Sequence, residues 1–274
     1  MVSQLTRRVP TNVIRFGAAM ILLSTWCFAP EAAAAGRPPE VLELVGIRVG
    51  MTVNETQAQL DQRKLQTRID RAQFPNSSEP FVTVLVAHTP GQDSTKPREH
   101  MIIQFATPPN AARVVSVSRL MTYPLGQGPA LEDLTRAMVE RFGPPARKAG
   151  FGSSSVGLWL WGKAGTPVAP DQGNTCQAFL QNFAHQGGLS MGAFTTSIAP
   201  EKFVRPLRAG CSSGVYTTFS ADSNGIRTTG LNSVAVDFEA ADKAIRATAT
   251  HAAELQSSAM KRERNAAKQV KPDI

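Results

Sequence analysis

The chain has 274 residues, 42% of them hydrophobic and 18% charged, with a formal net charge of +8. That length suffices for one large domain or two small ones. The basic excess favours an acidic partner or an anionic surface, and the lack of any basic–aromatic motif argues against nucleic acid.

The first 35 residues read as a secretory signal peptide rather than part of the fold. Arg7, Arg8 and Arg15 supply a basic start, and Phe16–Ala29 is apolar but short for a membrane span. Pro30 breaks the run, and Ala33 and Ala35 offer a cleavage site near Ala35. Val9-Pro10 after the arginine pair fits a twin-arginine signal poorly, so a Sec-type route is expected. Cys27 raises lipidation, but Ser24 stands where a lipoprotein signal wants leucine. Removing three arginines and one glutamate leaves about +6 on the mature chain. The expected location is periplasmic or secreted. No later run is long enough to span a bilayer.

Val41–Val49 is an apolar lead-in. Thr52 and Glu55 make a T-x-x-E capping box, predicting a helix from about Val53 to Gln66 with Val53, Thr56, Leu60 and the stem of Lys64 on its inner side. Asp70–Pro80 is polar, holds Pro75 and Asn76, and reads as loop. Three strands follow, at Phe81–Ala87, Met101–Ala106 and Arg113–Met121. The long polar stretch His88–Glu99 joins the first two, and Pro108, Pro109 and Asn110 turn the second into the third. Pro124–Gly128 reads as a linker.

The order then repeats. Leu131, Leu134, Met138 and Phe142 fall on one face of a helix, with Glu132 and Asp133 in its first turn and Arg141 in its last. Gly143 can end it in a left-handed conformation, and Pro144 and Pro145 forbid continuation. Val156–Trp161 is a strand with both sides apolar, Trp159 and Trp161 alternating with Val156, Leu158 and Leu160. The two tryptophans are either core or, if exposed, a possible binding surface. Two more strands fall at Val215–Ser220 and Leu231–Phe238. The insertion Lys163–Gly214 should hold a short helix at Thr175–Ala184 and a possible strand at Leu189–Thr196. It carries Cys176 and Cys211, the two cysteines of the mature chain, which in an oxidising compartment read as one disulfide. The tail Glu239–Ile274 is alanine-rich and helix-favouring, closed by Lys261, Arg262, Arg264, Lys268 and Lys271. It is either a solvated helix or a weak contact for anionic lipid headgroups.

The fold class expected is therefore α+β. Residues 36–123 form one helix-plus-meander repeat and residues 129–238 a second, each with a helix on a three-stranded antiparallel meander. The two meanders could share one continuous sheet, and residues 239–274 follow as a C-terminal helix. Gly50-Met51-Thr52 before a helix resembles the opening of the SmpA/OmlA family of small outer-membrane assembly proteins. Phe142-Gly143-Pro144-Pro145 resembles the glycine–proline stop of that family. A similar unit is used in tandem by the β-lactamase inhibitory protein. The match is partial. The first half has Leu60-Asp61-Gln62-Arg63 where the stop belongs, and the second has Gly128-Pro129-Ala130 in place of the opening. The resemblance implies a non-enzymatic protein that binds other proteins through a concave sheet, and it carries over no particular binding residue.

A catalytic alternative rests on Gly210-Cys211-Ser212-Ser213-Gly214, a literal G-x-S-x-G. A nucleophile elbow needs a strand before the serine and a helix after it. Here a Pro206-containing loop is expected before Ser212 and a strand after it, with His185 the histidine nearest in sequence. S-x-x-K is absent, and Glu132-Asp133 and Asp237 with Glu239 have structural readings at a helix start and a strand end. The four histidines, His88, His100, His185 and His251, make no recognisable cluster, and no CxxC or HxxxH spacing marks a zinc site. No cofactor, metal or catalytic residue is expected. The functional expectation is an exported, non-catalytic envelope protein that binds another envelope protein. The alternatives are a periplasmic serine hydrolase using Ser212 and a peripheral surface binder acting through the basic tail.

Overall fold

The computed structural model describes residues 42–91, 93–151, 154–163, 166, 168, 170–185 and 201–269. The proposed signal peptide and the possible strand at Leu189–Thr196 lie outside them. The fold is α+β. A short hairpin, β1 (Glu43–Leu44) and β2 (Ile47–Arg48), leads into α1 (Val53–Gln62). Then come β3 (Gln66–Gln73), β4 (Pro80–His88), β5 (Arg98–Phe105) and β6 (Val114–Thr122). The second half runs α2 (Leu131–Phe142), β7 (Arg147–Phe151), β8 (Ser154–Trp161), α3 (Pro170–His185), α4 (Glu201–Arg208), β9 (Ser213–Ala221) and β10 (Thr228–Asp237). The chain ends on α5 (Phe238–Gln269).

Strands β3 to β10 form one antiparallel sheet in the order β3-β4-β5-β6-β10-β9-β8-β7. Each half contributes a four-stranded meander, and the two meet where β6 pairs with β10. The expected meanders were three-stranded. The extra strand of the first half is β3, which begins at Gln66, where the helix was expected to end, and runs into the start of the stretch read as loop. The extra strand of the second half is β7, immediately after the proline stop.

The Gly50-Met51-Thr52 segment is tied to the sheet. The Gly50 N–H donates to the Val114 carbonyl at 2.8 Å, and the Val114 N–H donates to Met51 at 2.8 Å. The capping box forms as the spacing predicts, with the Glu55 carboxylate accepting from the Thr52 N–H at 2.7 Å. Thr56 and Leu60 are buried beneath α1. The helix stops at Gln62, four residues short of the expectation, so the Lys64 stem is not on its inner side. Lys64 takes φ +58° and is exposed, while the Leu65 N–H reaches back to Leu60 and the Lys64 N–H to Asp61. This is a Schellman closure with lysine where glycine is usual.

Helix α2 has the bounds expected. Gly143 ends it at φ +76°, its N–H donating to Val139. The side chains of α1, α2 and the β1–β2 hairpin cover one face of the sheet. There Leu60, Leu85, Ile103, Phe105, Phe142, Trp159 and Trp161 share a core. A smaller cluster of Met121, Phe219 and Leu231 lies under Leu131 and Leu134 of α2. The opposite face is covered by α3, α4 and α5 through Leu158, Leu160, Leu180, Tyr216, Val234, Val236, Phe238 and Ile245. Cys176 of α3 and Cys211 after α4 are joined, with Cα atoms 6.6 Å apart, and both are buried. The Pro206 segment is part of α4 rather than a loop, and the Pro206 carbonyl accepts from the Cys211 N–H at 3.0 Å.

Candidate binding surface

The strand register orders the second face into rows. One row runs Val84, Gln104, Ser116, Val236, Gly214, Leu160, and every member is buried. Two residues further along the strands lie Val86, Ile102, Ser118, Val234, Tyr216 and Leu158, where the first two are half-buried and the rest buried. The next row is His88, His100, Leu120, Asn232 and Thr218; its first three members are exposed and the last two half-buried. Arg98, Thr122 and Ser220 beyond it are all exposed. Among the described residues, helices therefore cover one end of this face and leave the other end exposed.

The uncovered end is mixed in character. Leu120 is 46% exposed at its centre, with half-buried Ile102 diagonal to it on β5, Val86 beyond that on β4, and hydroxyl, amide and imidazole groups around them. An apolar centre with a polar rim is the composition of a protein-contact surface. His88 and His100 sit directly opposite one another there. Partial burial of the ring among its strand neighbours holds the His100 imidazole below its ordinary value, helped by His88 and Arg68 nearby. Sequence alone left these histidines scattered because β5 was expected to begin at Met101. The strand begins at Arg98, so His100 lies in the sheet rather than in the loop.

At the same level the first face is closed and ionic. Glu99 is 8% exposed and accepts from Arg63 at 2.7 and 2.9 Å and from Arg119 at 2.6 Å. Burial alone would raise the Glu99 carboxyl, but the two guanidinium groups outweigh it and hold it below the usual glutamate range. Tyr123 nearby is pushed up by burial. All three charges are used against one another, so the cluster is a structural brace and offers no free acid or base.

The two tryptophans are not a surface. Trp159 is 3% exposed and Trp161 1%. The Trp159 indole lies over Gly157, where a Cβ would fall 2.6 Å from the ring, and its N–H donates to the Gly143 carbonyl at 2.8 Å. Both rings meet Phe142, at 5.6 and 6.3 Å between centroids. The other side of the strand, Leu158 and Leu160, is covered by the disulfide-pinned helix α3. Both faces of β8 are core because the end of α2 fills one side and the insertion fills the other.

Ser212 follows α4 and precedes β9, the reverse of the order a nucleophile elbow requires. Its N–H donates to the Trp161 carbonyl at 2.8 Å, and its hydroxyl faces the same carbonyl at 3.4 Å. A shallow groove of about 700 Å³ lies between α2 and the tip of the β9–β10 hairpin, lined by Leu131, Thr135, Val139 and Ile226 with Glu132, Arg136 and Glu140 at its edges. Among the described residues no three or more His, Cys, Asp or Glu side chains gather as a metal cage, and no helix is long and apolar enough to cross a membrane. The end of α5 is exposed from Met260 to Lys268, and its last eight described side chains carry Lys261, Arg262, Arg264 and Lys268 against Glu263.

No protein-family model, curated protein or solved structure matches this chain.

Proposed function

We infer that this is an exported, non-catalytic protein of the bacterial envelope that binds another protein through the uncovered end of its second sheet face. The observation that carries this reading is the step along that face from fully buried rows to the exposed row of His88, His100 and Leu120. The disulfide fits an exported chain. We also read α1 with β3–β6 and α2 with β7–β10 as two copies of one helix-plus-meander unit. The shared order of one helix followed by four antiparallel strands, interrupted in the second half by α3 and α4, supports this, as does the likeness of the Gly50 and Gly143 motifs to the SmpA/OmlA family. An assembly role in the envelope follows from that resemblance. The hydrolase reading through Ser212 draws no support from a helix-turn-strand order.

The test is site-specific photo-crosslinking in intact cells. A crosslinking residue at position 120 should give a discrete protein adduct, which Thr218→Arg in the same chain abolishes. The same probe at exposed position 137 on α2 should give none. Equal adducts at both positions, or none at 120, would sink the reading.

A second reading has its own observation, the exposed and predominantly basic end of α5. Such a segment contacts anionic lipid headgroups. Truncation after Ala259 should then release the protein from vesicles containing phosphatidylglycerol while leaving the crosslink at 120 intact. Unchanged vesicle binding would dispose of it.

A further inference from the structure

We propose that His88 and His100 form a two-imidazole site for a divalent late transition-metal ion, zinc(II) or copper(II), on the uncovered end of the sheet. The register makes them directly opposed on β4 and β5. The type of pair matters. One step along, the Thr89 N–H donates to the Glu99 carbonyl at 2.9 Å, so residues 89 and 99 occupy the hydrogen-bonded position. His88 and His100 therefore occupy a non-hydrogen-bonded position, where opposed Cα atoms approach to about 4.5 Å and side chains are closest. Two imidazole nitrogens at about 2.0–2.1 Å from one ion lie roughly 3.3 Å apart in a tetrahedral shell, which side chains so placed can reach. Both side chains are exposed, and neither makes a hydrogen bond to another described residue, so solvent can fill the remaining coordination positions.

The surroundings permit a cation. On β3, Gln66 faces His88, and Arg68 is tied to Asp70 by two hydrogen bonds of 2.9 and 3.0 Å, which offsets part of its charge next to the pair. On β6 the neighbours are Leu120 and Thr122, both uncharged. Arg98, two positions along β5, is the one unpaired cation among the described residues facing this end, and it projects to solvent. Imidazole donors suit zinc and copper, with copper(II) bound more tightly. This site stands whether or not the same face contacts a protein.

Titration of the metal-free mature chain with zinc chloride at pH 7.4 should give one ion per chain. His88→Gln and His100→Gln should each weaken binding at least tenfold and by similar factors, because a chelate needs both donors. His251→Gln should leave the affinity within twofold. Affinity within twofold of wild type in either of the first two variants, or an equal loss in His251→Gln, overturns the site. Circular dichroism of each variant establishes that it is folded. The wild-type chain supplies an independent readout: substoichiometric copper(II) should broaden the imidazole resonances of His88 and His100 first. Broadening confined to the amino terminus, or to His185 or His251, overturns the proposal without reference to any variant.

Discussion

Glu99 and His100 are neighbours on β5, yet they inhabit opposite environments. Glu99 points into the face that α1, α2 and the hairpin close over, and it is held by two arginines. His100 points to the face whose helices stop short of it, and it meets water. The difference comes from the coverage of the two faces, not from the strands, which are shared. On the closed face a charge survives only when fully paired. On the other face, position along the strand decides, since Val84 is buried while His88, four residues on, is exposed. Among the described residues the sheet is thus a scaffold covered on one face and, on the other, left exposed at one end.

The sharpest way to break that contrast is to remove what covers the occupied part of the second face. Cys176 and Cys211 are separated by 35 residues, and closing such a loop contributes roughly 4 kcal/mol in the chain-entropy model. The Cys176→Ser, Cys211→Ser double variant should lose about that much in urea denaturation and should bind a hydrophobic dye as α3 loosens from Leu158 and Leu160. An unchanged midpoint would show that α3 and α4 hold to the sheet without the clamp.

The next largest effect tests the closed face. Glu99→Gln leaves Arg119 largely buried without its counter-charge. It should cost about 2–3 kcal/mol, short of a fully buried pair because the Arg63 side chain is 33% exposed. Leu120→Ser, on the adjacent strand and opposite face, should stay within about 0.5 kcal/mol of wild type. Equal losses in the two variants would mean that the uncovered end is not uncovered in solution.

How much of this could be read in advance depends on the element. Helix α2 was legible to the residue because its apolar spacing and its Gly143-Pro144-Pro145 stop agree. The central strands were legible from their alternating apolar residues. Strand β3, Gln66-Thr67-Arg68-Ile69-Asp70-Arg71-Ala72-Gln73, was not. It is an edge strand with one large apolar side chain, Ile69, and its polar composition reads as loop. The end of α1 was overrun because Lys64, not glycine, takes the left-handed turn. The site suffered most. Trp159 and Trp161 drew notice by size, but their burial depends on Phe142 and on the distant insertion. His88 and His100 meet through strand register, which local pattern does not encode.

The contrast also has a pH form. The folded state holds Glu99 below the ordinary 4.5, so its contribution is fully present above that value and is lost as pH falls through the lower folded value. The folded state also holds His100 below the ordinary 6.5. There the unfolded chain binds the proton more readily, so stability declines as pH drops from about 6.5 toward the folded value. Urea midpoints from pH 7.5 to 3 should therefore separate the two faces. His100→Gln should flatten the upper part of the curve and Glu99→Gln the part below 4.5. If each variant altered the other's window, the faces would be electrostatically coupled through the sheet.

The smallest effect isolates the turn that delivers Arg63 to Glu99. Lys64 at φ +58° bears the cost of a Cβ in the left-handed region, about 1–2 kcal/mol. Glycine relieves that cost but gains freedom in the unfolded chain, which offsets about 0.4–1 kcal/mol. Lys64→Gly should therefore stabilise by about 0.5 kcal/mol, while Lys64→Ala, which keeps the Cβ, should change little. Both should leave the acid limb set by Glu99 in place, since the Arg63 contact is unaltered. Loss of that limb in Lys64→Gly would mean that the strained turn, rather than the ion pair, positions Arg63 over the sheet.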